Sequence, residues 1–406
     1  MSREYDIIIV GSGPAGTSAA IQLAQSGLKI ALLDQATFPR DKICGDALSV
    51  DVINQLSMLS PKLANEFGQL ASKTPSQGVT IYAPNGKSID IAFVNQGKHK
   101  CGYIVPRKTF DDLLFRQVNS FSNIHCFENR KVTSIKRIHA GVEVSGHDFA
   151  LEGKFIIGAD GAHSVVNRYL GKVKVDKNHY SAGLRMYYEN VQNFYSGNYI
   201  ELYFFKDILP GYLWVFPLAN NRANVGIGML SSALSAKKVN LKASLQSLLD
   251  THPLLYERFK TAKPLETAKG FGLPLGSKKR SISGDRFLLT GDAAGLIDPF
   301  SGEGIANAIR SGRVAAEHTL SCFELNDFSA QYNKAYDKEI YRRMWKELKV
   351  SRTLQNLCRY PKLFNFVVSR ARESKYLTEL LTQALAEVDV KKVLTKPGFY
   401  LKLLIR

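Results

Sequence analysis

Cysteine is scarce and scattered: five occur in 406 residues, at Cys44, Cys101, Cys126, Cys322 and Cys358, with no C-x-x-C pair. An odd, widely spaced set supports neither a disulfide framework nor a zinc site. No metal centre is expected, and a reducing, cytoplasmic compartment is. No stretch of about 18 apolar residues is present, which argues against a membrane-spanning helix. Met1-Ser2-Arg3-Glu4-Tyr5-Asp6 leads straight into an apolar run, so no secretory leader is expected. Internal repeats and low-complexity segments are lacking, which argues against a solenoid. Acidic residues are also short: 36 Asp+Glu face 54 Lys+Arg, a net charge of +18. Residues 331–406 hold 17 Lys+Arg against 7 Asp+Glu, so more than half of that excess sits in the last fifth of the chain. Such a surplus suits anions or an anionic membrane surface, although a solvated basic face is the simpler reading. No nucleic-acid motif accompanies it, so nucleic acid is not an expected partner.

The chain does have the makings of a globular enzyme. Its hydrophobic fraction of 45% and charged fraction of 22% are ordinary, and its length implies two closely packed domains. Tyr5–Val10 is a short β-branched run of the kind that forms a buried parallel strand. Gly11-Ser-Gly13-Pro14-Ala15-Gly16 follows, then a helix-compatible stretch to Ala24, with Gly27 as its left-handed stop. Lys29–Leu33 forms a second strand, closed by Asp34. Gly11 permits the tight turn, Gly13 lets backbone approach a pyrophosphate, and Gly16 lets helix and strand pack closely. The helix start offers free N–H groups to phosphate. Asp34 stands near the spacing of a carboxylate that bonds an adenosine ribose. This pattern marks a dinucleotide site but does not separate FAD from NAD.

Two later stretches repeat a strand followed by an aspartate–glycine pair. Residues 155–168 run through an apolar strand into Asp160-Gly161. Residues 286–307 run through Phe287–Thr290 into Gly291-Asp292, a Gly-rich loop and a small-residue helix. With these motifs in order, the chain resembles the flavoprotein superfamily of p-hydroxybenzoate hydroxylase type. That resemblance implies an α/β fold with a discontinuous Rossmann-like FAD-binding domain, an inserted β-sheet substrate domain and a helical C-terminal region. The implied cofactor is FAD. Its ADP half would be held by Gly11, Gly13, Pro14, Ala15, Gly16 and Asp34, its pyrophosphate by Asp160 and Gly161, and its ribityl chain by Gly291 and Asp292. Arg40 and Arg107 are implied cofactor contacts. The loop Pro299–Gly304, with Gly302, would lie against the isoalloxazine ring, and the helix from Ile305 would point its N-terminus at it.

Two segments narrow the branch. Phe38-Pro-Arg-Asp-Lys-Ile-Cys44-Gly45-Asp46 and Pro210-Gly-Tyr212-Leu-Trp214-Val-Phe216-Pro217 resemble the geranylgeranyl reductase family. Many relatives in that family carry Gly where this chain has Asp46. The implied reaction is reduction of isoprenoid C=C bonds, a hydride reaching one alkene carbon and a proton the other, in a dry pocket. Cys44, Tyr212 and Trp214 are the catalytic candidates, Cys44 as proton donor or flavin neighbour and the two aromatics as pocket lining. A lone cysteine is equally often a small buried apolar residue. Val225-Gly-Ile-Gly228 lacks a third glycine and a following helix pattern, so no second dinucleotide fingerprint is read. An external donor, NAD(P)H or a ferredoxin-like protein, would then reduce the flavin.

Two other readings stay open. One keeps the fold for an aromatic monooxygenase or halogenase, from whose pattern Tyr212 and Phe216 depart. The other is a membrane-surface electron relay, motivated by Arg342-Arg343, Arg370, Arg372, Lys391-Lys392 and the apolar run 399–405. Peripheral membrane contact is compatible with the reductase reading, since prenylated lipids live in membranes. The expected division is FAD domain at 1–75, 100–175 and 270–320, substrate domain at 76–99 and 176–269, and helices over 321–406.

Overall fold

A computed structural model describes residues 3–95, 98–99 and 101–374. Lys391-Lys392, Pro397 and the apolar run 399–405 lie outside these residues. The apolar run at the start forms the strand Arg3–Val10, its stretch Ile7–Val10 buried on both faces, and it pairs in parallel with Ile30–Leu33 and Ala150–Gly158. Ile124–Phe127 extends the sheet on one side, and the antiparallel strands Gly141–Ser145 and Ser134–Ile138 on the other. Phe287–Leu289 adds a further parallel strand beside Ala150–Gly158. Continuous apolar runs such as Ile7-Ile8-Ile9 and Ile156-Ile157 are what a sheet covered on both faces requires.

The helix after the glycine turn is Pro14–Leu23. It ends before Gly27, so that glycine is no C-cap. Gly27 instead sits at φ +73° in the turn into the second strand. Against this helix packs Ile305–Leu325, with Gly312 at the crossing, where an added Cβ would lie 2.2 Å from the Ala15 carbonyl oxygen.

A second sheet runs in the order Ser88–Ala92, Gly78–Tyr82, Ile200–Tyr203, Gly211–Leu218, Arg222–Leu230, Tyr180–Glu189, with Lys269–Pro274 also pairing with the last. It is antiparallel except where Ile200–Tyr203 meets Gly78–Tyr82. The expected division at residue 270 thus falls inside a strand of this sheet. One face carries Tyr203, Val215, Val225 and Ile227 into a core closed by the helix Leu241–Thr251. The other face carries Ile81, Ile200, Leu202, Trp214 and Phe216 toward the first sheet and bounds a large cavity. Ala330–Leu357 and Pro361–Glu373 are helices. Pro361 opens the second of them, where its missing N–H costs nothing.

Candidate functional site

The cavity begins at the glycine turn. Gly11 has φ +98°, and a Cβ there would meet the Ala159 carbonyl oxygen at 2.4 Å. A Cβ on Gly16 would come within 1.8 Å of the Gly11 oxygen, so this glycine seats the helix on its strand. Gly13 differs, because the nearest atom to an added Cβ is 3.8 Å away. The protein itself leaves room there, and the glycine keeps backbone bare toward the cavity. Gly13 caps the helix without a side chain and Pro14 takes the first position, so the free amides of the first turn have no capping side chain. Asp34 is buried, its carboxylate accepting from Ser12 N at 2.9 Å and Ala36 N at 3.0 Å. Arg40 stands 3.7 Å from Asp34 and donates to Asp111 at 2.8 Å.

The aspartate–glycine pairs form the middle of the wall. Asp160 accepts from Val165 N at 2.6 Å and Val166 N at 3.2 Å through one oxygen, while its other oxygen is buried without a partner. Asp292 lines the cavity, and a Cβ on Gly304 would lie 3.4 Å from its carboxylate. Burial raises the Asp292 carboxyl above the usual range, against the pull of Lys42 and Arg107. Arg107 opens the helix Arg107–Val118, is fixed by a two-pronged bond to Asp111 (2.7 and 2.8 Å), and reaches the Cys44 sulfur. Gly302 (φ +74°) leaves space for the Tyr212 hydroxyl, which donates to the Ser301 carbonyl. Gly304 precedes the helix that starts at Ile305.

Trp214 owes its place to glycines on the neighbouring strand. A Cβ on Gly226 would sit 2.0 Å from the indole ring, and one on Gly228 3.8 Å from it. The Val225–Gly228 stretch, empty of phosphate-binding meaning in the sequence, is the bed of the tryptophan. The Trp214 Nε1 donates to Asn224 Oδ1 at 3.0 Å, and Asn224 donates to the Cys44 carbonyl at 2.8 Å. Gly45 is needed because a Cβ would strike Phe216 at 2.7 Å. Cys44 lines the cavity, and burial raises its thiol pKa while Arg107 opposes the shift.

Seventeen of the twenty residues singled out from the sequence stand on one cavity wall. Gly16, Gly291 and Pro299 are set behind it and shape the backbone around it. Pro299 offers its carbonyl to Gln355 at 2.7 Å. Sequence reading missed Lys42, which lies over the Phe271 ring and is pulled down to about 8 by burial, Asp292 opposing. It also missed Asp298. That carboxylate accepts from Phe300 N at 3.0 Å, Ser301 N at 2.9 Å and the Ser351 hydroxyl, tying the 298–304 loop to the long helix Ala330–Leu357. Asp298 stands as the one charge in the apolar and small-residue run 293–302, which was the available signal; Lys42, beside Arg40 and Asp41, offered none.

The cavity measures about 940 Å³, near the top of the roughly 300–1,000 Å³ typical of small-molecule sites. Bare glycine backbone and open helix amides suit a pyrophosphate, and the Asp34 carboxylate suits a ribose diol. The set fits FAD, with an apolar chamber left beyond Trp214. No helix among the described residues is long and apolar enough to cross a membrane.

The family model described as FAD binding domain matches residues 4–346. Digeranylgeranylglycerophospholipid reductase of Methanococcus vannielii is 28% identical, over 98% of this chain and 95% of that protein. The protein of the same name from Thermoplasma acidophilum is 31% identical, over 84% of each chain. A crystal structure of a geranylgeranyl bacteriochlorophyll reductase-like protein from Thermoplasma acidophilum superposes with a TM-score of 0.80 at 25% identity, over 97% of this chain and 99% of that one.

Proposed function

This chain is an FAD-dependent oxidoreductase that belongs to the FAD binding domain family, in its geranylgeranyl reductase branch, and from that premise we propose that it reduces C=C bonds of a polyprenyl lipid. One observation carries the proposal: a single cavity joins the dinucleotide cradle to an apolar chamber walled by Val79, Ile81, Ile200, Leu202 and Phe300. When bound, FAD supplies the hydride. The chain's own residues do the rest. Tyr212, Trp214 and Phe216 form the wall on which the reacting alkene rests, and the chamber keeps water from it. Cys44 donates the proton to the second alkene carbon. The sulfur that remains is met by the Asp46 backbone N–H and the Arg107 guanidinium. Gly11, Gly13, Asp34, Arg40, Asp160 and Asp292 hold the cofactor.

Single-turnover reoxidation tests this reading. Protein reduced without oxygen is mixed with a geranylgeranyl lipid, and recovery of the oxidised-flavin absorbance is followed. Fast recovery with a gain of two hydrogens on the lipid is expected. A bleached band that returns only when oxygen is admitted, with oxygen or halide on an aromatic acceptor, would replace it with the monooxygenase or halogenase reading. The electrons come from an external donor, NAD(P)H or a ferredoxin-like protein, told apart by which one bleaches the anaerobic protein.

The lipid substrate implies a membrane contact, and the helix Pro361–Glu373 suits it. Its inner face (Phe364, Val368, Ala371) packs on the strand Ser88–Ala92, beside the apolar chamber. Its outer side presents Tyr360, Leu363 and Phe366 (64%, 47% and 38% exposed) among Arg359, Lys362 and Arg370. Arg342 and Arg343, by contrast, are engaged with Glu339. Co-sedimentation with anionic vesicles should fall steeply as salt rises, and L363E/F366E should abolish it while leaving flavin content intact. Equal pelleting by wild type and variant would refute the assignment of this helix.

A further inference from the structure

Asp46 follows Cys44-Gly45 directly, and the hydride and proton steps proposed above give its carboxylate no part. Its backbone has φ +66°, a conformation that residues with a side chain rarely adopt. Its side chain is fully buried. Three elements converge on it. From the second sheet, Tyr187 donates its hydroxyl and Asn224 its amide at 2.8 Å to the same oxygen. These two residues face each other across adjacent strands, and Asn224 faces Phe216 on the next. From the helix that carries Arg107, the Arg107 backbone N–H points at the other oxygen at 3.3 Å. Asn224 also holds the Cys44 carbonyl and the Trp214 indole. Asp46 is therefore the knot in a chain of bonds behind the cavity, one residue removed from the cysteine it does not itself touch through its carboxylate.

We propose that Asp46 is a positioning residue for Cys44: its carboxylate, pinned between the second sheet and the Arg107 helix, fixes where the thiol sits and holds the proton on it until the alkene takes it. The proposal rests on Cys44 being the proton donor named above. It also explains the tolerated backbone geometry, because the three donors fix the side chain in place. The charges facing Cys44 are few. Arg107 favours the thiolate, Asp46 disfavours it, and Lys42 and Tyr212, which line the same cavity, feel its charge. Around Asp46 itself stand Tyr187, Asn224, Arg185 and Arg107, and despite them burial lifts its own carboxyl to about 6. When Cys44 gives up its proton, the S–H bond breaks, a C–H bond forms at the carbon next to the one that accepted hydride, and the thiolate regains a proton from water. A carboxylate close behind drives that last step by like-charge repulsion.

The test reads the thiol directly, without cofactor. FAD-free protein is alkylated with iodoacetamide across pH, and the Cys44 peptide is quantified by mass spectrometry. D46N removes the charge and keeps the shape. D46G also removes the charge and adopts φ +66° freely, so it covers the case in which D46N misfolds. Both should shift the alkylation midpoint down by about one pH unit, the shift expected from removing a nearby like charge. The pH–rate profile for prenyl-lipid reduction should move the same way, with KM for the lipid little changed. An unmoved midpoint in a folded variant that still binds FAD overturns the proposal. A moved midpoint in a protein that reduces no prenyl lipid leaves the Asp46–Cys44 coupling standing and removes the reductase reading instead.

Discussion

Lys42 is the residue whose charge is most finely placed. It lies on the cavity wall with its pKa drawn down to about 8 by burial, while Asp292 opposes the shift. Below that pH it is a cation facing a site for a phosphate-bearing cofactor, and above it a neutral amine. FAD affinity of the stripped protein should therefore fall as pH rises through 8, and K42R should hold it to higher pH. K42M should weaken binding by about tenfold, roughly the 1.4 kcal/mol of one charge-assisted contact. Fluorescence titration reads both, and a flat profile from pH 7 to 9.5 would remove Lys42 from the cofactor site. Two glycines make an opposite pair at the same scale. Gly226→Ala drives a methyl into Trp214 and should cost about 1–3 kcal/mol in urea unfolding, with lipid turnover reduced. Gly68→Ala, at the end of the helix Pro61–Gly68 with open space around it, should stabilise by about 0.4–1 kcal/mol.

At the scale of elements, the loop 298–304 is held from outside its own sequence. Asp298 takes the Ser351 hydroxyl and Pro299 takes the Gln355 amide, both from the long helix Ala330–Leu357. Ser351→Ala should leave a buried carboxylate short of a donor, a loss of about 1–3 kcal/mol. Hydrogen exchange should then quicken at Phe300–Gly302 while the helix itself stays protected; unchanged loop exchange would make the contact incidental. This pair also marks where sequence reading ends. The glycine turn, Asp34, Asp160 and Asp292 were legible because each motif states a local backbone demand. Gly11 and Gly302 need positive φ, and the strand and helix around them are written within a few residues. Ser351 lies 53 residues from Asp298, and Asn224 lies 178 from Asp46. Only the topology decides that such residues meet, and nothing in their neighbours announces it. Val225–Gly228 shows the intermediate case: its glycines were visible, and their purpose was not, because Trp214 arrives from another strand.

At the scale of the whole molecule, the segment Phe38–Asp46 stitches two sheets together. Arg40 reaches Asp34 and Asp111 on the cofactor side. On the other side Arg185, fully buried on the second sheet, bonds Asp41 at 2.7 Å and also Glu266, with its guanidinium over the Tyr187 ring. Arg185→Met should cost about 1–3 kcal/mol, since it removes the buried guanidinium's charge-assisted bonds while Lys269 still partners the partly exposed Asp41 and Glu266. The loss should appear as one shifted calorimetric transition. Two separated transitions would show that the sheets melt independently and that the stitch is ornamental.

That stitched segment makes the cofactor a folding ligand for the second sheet as well as the first. By linkage, occupancy at a hundred times the dissociation constant adds about 2.7 kcal/mol to every opening that must first release FAD. Because the segment is shared, openings of the apolar chamber are among them. A cell short of flavin would then lose the shape of the apolar chamber along with the redox group, and the emptied protein would reach proteases as a loosened chain.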